Sequence, residues 1–337
     1  MKNTNRRTVG TLAALLTVCS IALLLIAHQI NAAIFSPPRR ALQEYHMKRI
    51  NNPADYGLSI ISHNCLDGQV PCLLVEPDGL AGASRRGKKL RQQLSEKGAK
   101  LPAYGRTQGI IVLLHGRKGR KEDLLPVAER FVAAGFRCVL PDLPAHGDSP
   151  LQSMSFGSSD FERQLPAKVL EDIRNEFGLP DEPAALWGMS MGGAFAVNAA
   201  GEASSDWDAM MVVSSFASLE GVLESQIPEP WKPVFPALLS LLDIERNLQQ
   251  RPTIRSIRPR QVAQHVKLPT LLVHGNQDNF VSIQQGQDLY DALGSRNRKW
   301  LTVPGAGHRN VLATSMPLYS EMSDWLRQVM PDKDQSR

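Results

Sequence analysis

Cysteine is scarce, with four residues in a chain of 337. None of the four forms a C-x-x-C pair and no histidine–cysteine cluster accompanies them, so the usual spacings of zinc sites and thioredoxin-like redox motifs are excluded. Aromatic residues make up 6% and the net charge is only +5. A nucleic-acid surface needs basic residues spread over a folded face with aromatics among them. Here they gather instead in two short stretches, Asn5-Arg6-Arg7 and "SRRGKKLRQQ" over 84–93, neither of which carries an aromatic. The second reads as a solvated basic loop within an exposed insertion over 78–106. Charged residues are too few (21%) for a disordered chain, and the hydrophobic fraction of 42% supports one large α/β domain or two small ones. There is no internal repeat and no low-complexity tract.

Three cysteines have readable settings. Cys138 lies in "FRCVLPD", a buried-strand pattern in which cysteine acts as a small hydrophobe. Cys65 and Cys72 flank "LDGQVP", where Asp67-Gly68 signals a hairpin turn. A two-residue turn pairs Cys65 with Val70 and Cys72 with His63. The two cysteines then share a face diagonally, about 7 Å apart or somewhat less, at the outer limit for a disulfide. The sequence leaves that bond open.

The N-terminus holds the longest apolar run. Val9–Ala27 has no charge, and nineteen helical residues span roughly 28 Å, close to the hydrocarbon core of a bilayer. The run lacks the polar face of a buried core helix. Lys2, Arg6 and Arg7 precede it, which favours a cytoplasmic N-terminus and an exported remainder, although Arg39 and Arg40 on the far side weaken that asymmetry. The run exceeds the usual signal-peptide core, so residues 1–35 are expected to be an uncleaved membrane anchor. The alternative is a signal segment cut near Ala32-Ala33. Cys19 is a poor lipoprotein site, because Val18 is bulky and the apolar run continues past it.

Beyond residue 36 short apolar runs alternate with amphipathic stretches. Strands are expected near 58–64, 70–75, 109–114, 136–141, 184–188, 209–214, 269–274 and 299–303. The later ones lack polar alternation, as strands covered on both faces do. Helical patterns lie in 122–135, 161–178, 192–202, 283–294 and 319–330, and several end at glycine. This alternation predicts a mainly parallel sheet wrapped by helices and opened by an antiparallel hairpin. Residues 216–264 break the pattern with prolines and a short apolar helix, and read as a helical lid over one end of the sheet.

"WGMSMGGAF" over 187–195 carries the chemistry. It places Ser190 between a strand pattern and a helix pattern, with Gly188 two residues before it and Gly192-Gly193 after it. A serine hydroxyl needs a base and a sharp turn that presents it. Small neighbours relieve the crowding of that turn, and the helix start offers the Met191 N–H to an oxyanion. Alone, G-x-S-x-G is a modest signal, arising by chance in roughly one chain in ten of this length, so the companion segments decide. "IIVLLHGRKG" ends a buried strand at His115-Gly116, and the Arg117 N–H is the expected second oxyanion donor. "LLVHGNQDNFV" places Asp278 in a loop after another strand. "LTVPGAGHRN" places His308 in a Gly-flanked loop after the last strand, 30 residues beyond Asp278.

The order Ser190, Asp278, His308, with each residue beyond the C-terminal end of its own strand, resembles the α/β-hydrolase superfamily. The resemblance covers about residues 55–330 and rests on "LLHGRKG", "DLPAHGDSP", "GMSMGG" and the pair "HGNQDNFV"/"GAGHRN". Among its branches, the layout is similar to bacterial esterases and to the serine aminopeptidase and monoacylglycerol lipase-like group. "DLPAHGDSP" is similar to the family turn D-x-x-G-H-G-x-S, with Ala145 in place of the first glycine. His146 and Asp148 read as loop-structuring residues. The resemblance implies an α/β-hydrolase domain over 36–337 with a lid at 216–264, a Ser190–His308–Asp278 triad, and no metal or organic cofactor. A dehalogenase of this fold would carry aspartate at position 190.

The leading expectation is an envelope-located serine hydrolase acting on a small-molecule carboxylic ester. A peptidase or amidase and an acyltransferase use the same triad, and a membrane-tethered binding module on a hydrolase fold is the non-enzymatic alternative. Trp231, Phe235, Leu238 and Leu242 in the lid fit an apolar acyl or leaving group, and fit packing against the core equally well.

Overall fold

The computed structural model describes residues 2–79, 84–202 and 207–330, with the side chains of the first helix described from Thr17 onward, Cys19 apart. Eight apolar runs become strands: β1 (Leu58–Cys65), β2 (Val70–Pro77), β3 (Ile110–Leu114), β4 (Arg137–Pro141), β5 (Ala184–Met189), β6 (Ala209–Val213), β7 (Thr270–Gly275) and β8 (Arg298–Val303). Each lies within two residues of its expected span. The helices are α1 (Lys2–Phe35), α2 (Glu44–Asn51), α3 (Arg85–Glu96), α4 (Leu125–Ala133), α5 (Asp160–Phe177), α6 (Met191–Ala200), α7 (Leu219–Ser225), α8 (Phe235–Leu248), α9 (Pro259–Ala263), α10 (Ile283–Ala292) and α11 (Leu318–Val329).

The strands form one sheet in the order β1-β2-β4-β3-β5-β6-β7-β8. β1 and β2 are antiparallel, and β3 to β8 run parallel. This is the α/β-hydrolase fold. Along β3, Ile110, Val112 and Leu114 enter one apolar layer while Ile111 and Leu113 enter the other. That period of two explains why a strand covered on both faces reads as an unbroken apolar run. The neighbours of β3 are β4 on one side and β5 on the other, so the chain reverses direction across the sheet there. The crevice at such a switch point is where an open α/β sheet binds ligands.

The β1–β2 hairpin has the expected register, with His63 opposite Cys72 and Cys65 opposite Val70. Asp67 and Gly68 both take positive φ (53° and 85°), as a type I′ turn requires. The question left open is answered by a Cys65–Cys72 disulfide, with Cα atoms 6.1 Å apart.

Two expectations need correction. The basic stretch within 78–106 is a helix and not a solvated loop. Ser84 caps α3 by accepting the Gly87 N–H at 3.0 Å, and Leu90 and Leu94, one turn apart, are buried against α4 and the sheet. Each such leucine contributes about 1.5–3 kcal/mol on burial, which outweighs the polarity of its neighbours. The boundary drawn at residue 35 also fails to separate two bodies. Ala27, Asn31 and Phe35 of α1 are buried, and Phe35 packs edge-on against Phe156 at 5.7 Å.

Among the described residues no helix is long and apolar enough to cross a membrane. Much of the Val9–Ala27 run lies outside those whose side chains are described. Within the described part, Val18, Ile21, Leu23, Leu25 and Ile26 are exposed and point in nearly all directions around α1.

Residues 216–264 are helical, as expected. Phe235 and Leu242 are buried and Leu238 packs against the same core, whereas Trp231 stands 63% exposed. Packing therefore accounts for three of the four lid residues. α8 is braced by α1: Asn31 Nδ2 donates to the Leu242 carbonyl at 2.9 Å and to Glu245 Oε2 at 2.7 Å, and the Arg246 guanidinium lies 3.6 Å from the Phe35 ring centroid.

Candidate active site

Ser190 occupies the turn between β5 and α6 with φ 54° and ψ −118°. A non-glycine residue reaches that region at a cost of order 1–3 kcal/mol, so the surroundings must over-determine it. They do so with backbone. The Ser190 N–H donates to the Val213 carbonyl at 2.8 Å. Its own carbonyl accepts the Gly193 N–H at 2.9 Å and the Ser215 hydroxyl at 2.7 Å. A Cβ on Gly188 would lie 2.1 Å from the Gly192 carbonyl oxygen, and one on Gly192 would lie 2.0 Å from that of Leu114. These glycines are required by close approach, since neither has a positive φ.

Asp278 follows β7 and His308 follows β8, two strands that pair in parallel through Gly275 and Val303. Asp278 Oδ1 accepts the N–H groups of Phe280 at 3.0 Å and Val281 at 2.8 Å, which aims Oδ2 at His308. The Asp278 Oδ2–His308 Nδ1 distance is 2.8 Å and the His308 Nε2–Ser190 Oγ distance is 3.0 Å. The structure thus joins the three residues expected from sequence, across 118 positions of chain. Burial works against ionising Asp278, but His308 and the two backbone N–H groups outweigh it and hold the carboxyl below the usual carboxylate range. An ionised Asp278 fixes the proton of His308 on Nδ1, leaving Nε2 to accept from the serine hydroxyl. Such a base can take the hydroxyl proton as Oγ attacks an electrophile.

The loop after β3 forms the other wall. Leu114 pairs with Gly188, so Gly116 is brought beside Ser190; a Cβ on Gly116 would meet Ser190 Cβ at 3.7 Å. Residues 116–119 make a turn closed by the Gly119 N–H on the Gly116 carbonyl at 3.0 Å, with Lys118 at φ 62°. Arg117 is the second residue of that turn, so its N–H is not used in closing it. Met191 is the first residue of α6, and its N–H has no intrahelical acceptor. Both expected oxyanion donors therefore stand on backbone that flanks Ser190.

His115 braces this loop. Its Nε2 accepts the Leu143 N–H at 3.1 Å, so the proton sits on Nδ1 and is donated to the Gly116 carbonyl at 2.9 Å. Burial holds the ring neutral and pushes its pKa down to about 4. His146 packs edge-on against it at 5.1 Å and is pushed down to about 3, by burial first and then by His115. Asp148 pairs with Lys121 at 2.6 Å and Arg120 at 2.9 Å. His146 and Asp148 thus structure the loop and do not join the three. Ala145 takes φ 66°, the left-handed conformation that the family turn gives to glycine.

Two neighbours went unread in the sequence. The Phe280 ring lies tilted against His308 at 5.1 Å and is 45% exposed, forming the outer lip of the site. Its only local signal was an apolar residue in "NQDNFV". The Arg117 side chain reaches α1, donating to the carbonyls of Ile34 at 3.2 Å and of Ala33. Among the described residues one group has metal-ligand atoms in mutual reach, namely His63, Cys65 and Asp172. The Cys65 sulfur is bound to Cys72 and is not a thiolate, which leaves a His63–Asp172 pair at 3.4 Å.

Comparison with known proteins agrees with this geometry. A family model described as serine aminopeptidase, S33, matches residues 105–262 and 255–312. The α/β hydrolase domain-containing protein aho-3 of Caenorhabditis elegans is 29% identical over 153 residues, covering 44% of this chain and 39% of that protein. The chain spans about half or less of the first curated relatives it matches, 46% in one and 39% in the other. Among solved structures, the Pyrococcus furiosus esterase Pf2001 is similar with a TM-score of 0.58 at 15% identity, covering 88% of this chain and 97% of that one. A membrane phospholipase A described as a bacterial virulence factor is similar with a TM-score of 0.50 at 16% identity, covering 96% and 99%. With the family match running through more than half of its length, the chain belongs to the serine aminopeptidase, S33, family of α/β hydrolases.

Proposed function

We propose that the protein is a serine hydrolase that cleaves a carboxylic ester through an acyl-enzyme on Ser190. One observation carries the reading: the hydrogen-bond chain from Ser190 Oγ through His308 to Asp278, at 3.0 and 2.8 Å, seated on a strained elbow. As Oγ attacks the ester carbonyl carbon, His308 Nε2 takes its proton. Asp278 stabilises the imidazolium, and the N–H groups of Met191 and Arg117 hold the oxyanion. His308 then protonates the leaving alcohol as the C–O bond breaks. Water, giving a proton to the same nitrogen, attacks the acyl-enzyme; the acid leaves and the Ser190 hydroxyl is restored. The similarity in fold to proteins described as an esterase and a phospholipase supports an ester over an amide.

The test is hydrolysis of p-nitrophenyl esters of graded acyl length. Wild type is expected to turn over and to be labelled by a fluorophosphonate. Ser190→Ala is expected to lose roughly 10⁴-fold or more in kcat and to escape the label. A folded wild type inert to both reagents would instead leave a binding module on this fold. Preference for aminoacyl anilides would make it a peptidase, and product formed on an added alcohol an acyltransferase.

The same reading places the protein at the cell envelope with α1 retained. Three observations support this. The Cys65–Cys72 disulfide suits an oxidising compartment. The exposed apolar residues of α1 stand clear of the domain while its last third is built into it. A cut near Ala32-Ala33 would remove the buried Ala27 and Asn31. Recovery of a soluble chain beginning near Ala33 would contradict this location.

A further inference from the structure

A helix end leaves its last four carbonyls without intrahelical partners, and these must be met from elsewhere. In α1 all four are met, though the last turn holds no basic residue of its own. The Ala32 carbonyl accepts the Ser36 N–H at 2.8 Å, and that of Phe35 accepts the Met154 N–H at 2.9 Å. The two between them, Ala33 and Ile34, accept from the Arg117 guanidinium. A cation there also complements the negative end of the helix dipole.

Arg117 is an unusual residue to spend on a helix cap. Its backbone N–H stands in the turn beside Ser190, and the next residue, Lys118, holds a strained positive φ. The segment after α1 is sewn to the neighbouring loop as well. Arg39 donates to the carbonyls of Gly147 at 3.2 Å, Ser149, and Leu151 at 3.1 Å, and Arg120 Nη1 donates to the Arg40 carbonyl at 3.0 Å. The N-terminal helix therefore ends on the two loops that border the serine.

We propose that Arg117 is a positioning residue whose side chain clamps the C-terminal turn of α1 and so holds the 116–119 turn with the Arg117 N–H aimed at the oxyanion. The inference rests on the serine-hydrolase reading and adds to it that α1 is part of the catalytic apparatus. Release of α1 from the domain lowers the chemical step and not substrate binding, because the donor it orients acts on charge that develops only in the transition state.

The experiment uses the full chain, with active sites counted by fluorophosphonate titration carried to completion, so that misfolded protein does not enter kcat. Arg117→Ala is expected to lower kcat by roughly 10–100-fold, somewhat less than outright loss of an oxyanion donor, with KM changed by less than about threefold. Affinity for a trifluoromethyl ketone, which forms the tetrahedral oxyanion, should fall in parallel. Arg117→Lys keeps a cation and a donor within reach of the two carbonyls and should recover part of both losses. Added methylguanidinium should do the same for Arg117→Ala. Amide hydrogen exchange in Arg117→Ala should rise in both 115–119 and 28–35. An active wild type whose Arg117→Ala variant keeps kcat and ketone affinity overturns the inference alone, as does a variant that loses KM instead of kcat. A wild type inert to ester and fluorophosphonate overturns the function, and the inference with it.

Discussion

The two walls of the site are built by different means. Both carry a strained non-glycine residue, Ser190 at φ 54° in the elbow and Lys118 at φ 62° in the turn after β3. The elbow is fixed by main chain: Gly188 and Gly192 sit where an added Cβ would come within 2.1 Å of a carbonyl oxygen. The opposite turn is fixed by side chains, His115 from within and Arg117 from α1. One wall is rigid because nothing larger fits. The other is rigid only while two removable groups stay in place, so it is the wall through which conditions and distant elements can act on the chemistry.

The largest test of this contrast is steric. Gly192→Ala forces a methyl into the Leu114 carbonyl and should destabilise the fold by about 3 kcal/mol or more, in urea denaturation. Gly116→Ala, whose nearest contacts are 3.6 and 3.7 Å away, should cost under about 1 kcal/mol. Equal losses at the two positions would erase the distinction.

Acid should act on the side-chain-held wall. His115 and His146 have folded pKa values of about 4 and about 3, below the ordinary 6.5, so the stability they contribute is present above pH 6.5 and is lost as pH falls. Protonated His115 can no longer accept the Leu143 N–H. Buried Glu162 works the other way. Burial raises its carboxyl to about 7, so stability falls as pH rises from 4.5 to 7. Between pH 4.5 and 6.5 the unfolded chain holds two protons on the histidines and the native state one on Glu162. Stability should therefore rise with pH at a net slope of about one proton. Glu162→Gln should steepen that slope to about two, measured from denaturation midpoints across this range.

The smallest effect concerns strain alone. Lys118→Gly relieves the positive φ at an exposed position and should raise stability by roughly 0.5–1 kcal/mol. No gain in thermal midpoint would mean that the turn is not strained as described.

Much of this was legible in the chain. The strands of the parallel sheet announce themselves because burial on both faces leaves a local run of apolar residues, and the elbow because its crowding demands glycines at fixed offsets. The hairpin register followed from Asp67-Gly68, which also set the two cysteines opposite each other on one face. What escaped has no local signature. Arg117 and Ala33 are 84 positions apart, and an arginine that caps another element looks the same in sequence as one in solvent. Residues 84–93 misled for a related reason: their basic character outweighed the two leucines that decide where the helix packs. Phe280 was passed over because a lone aromatic in a polar loop gives no hint that a ring will lie against a catalytic imidazole.

The seam between α1 and the domain bears on how this protein should be produced in the laboratory. A recombinant fragment starting at residue 36 would leave the face of Phe156 and the Arg246 guanidinium without the ring that both rest on, and would expose a stripe of α8. Such a fragment invites aggregation and low specific activity that owe nothing to the triad. A fragment that keeps Ala27 through Phe35, with any purification tag at the opposite terminus, preserves the seam intact.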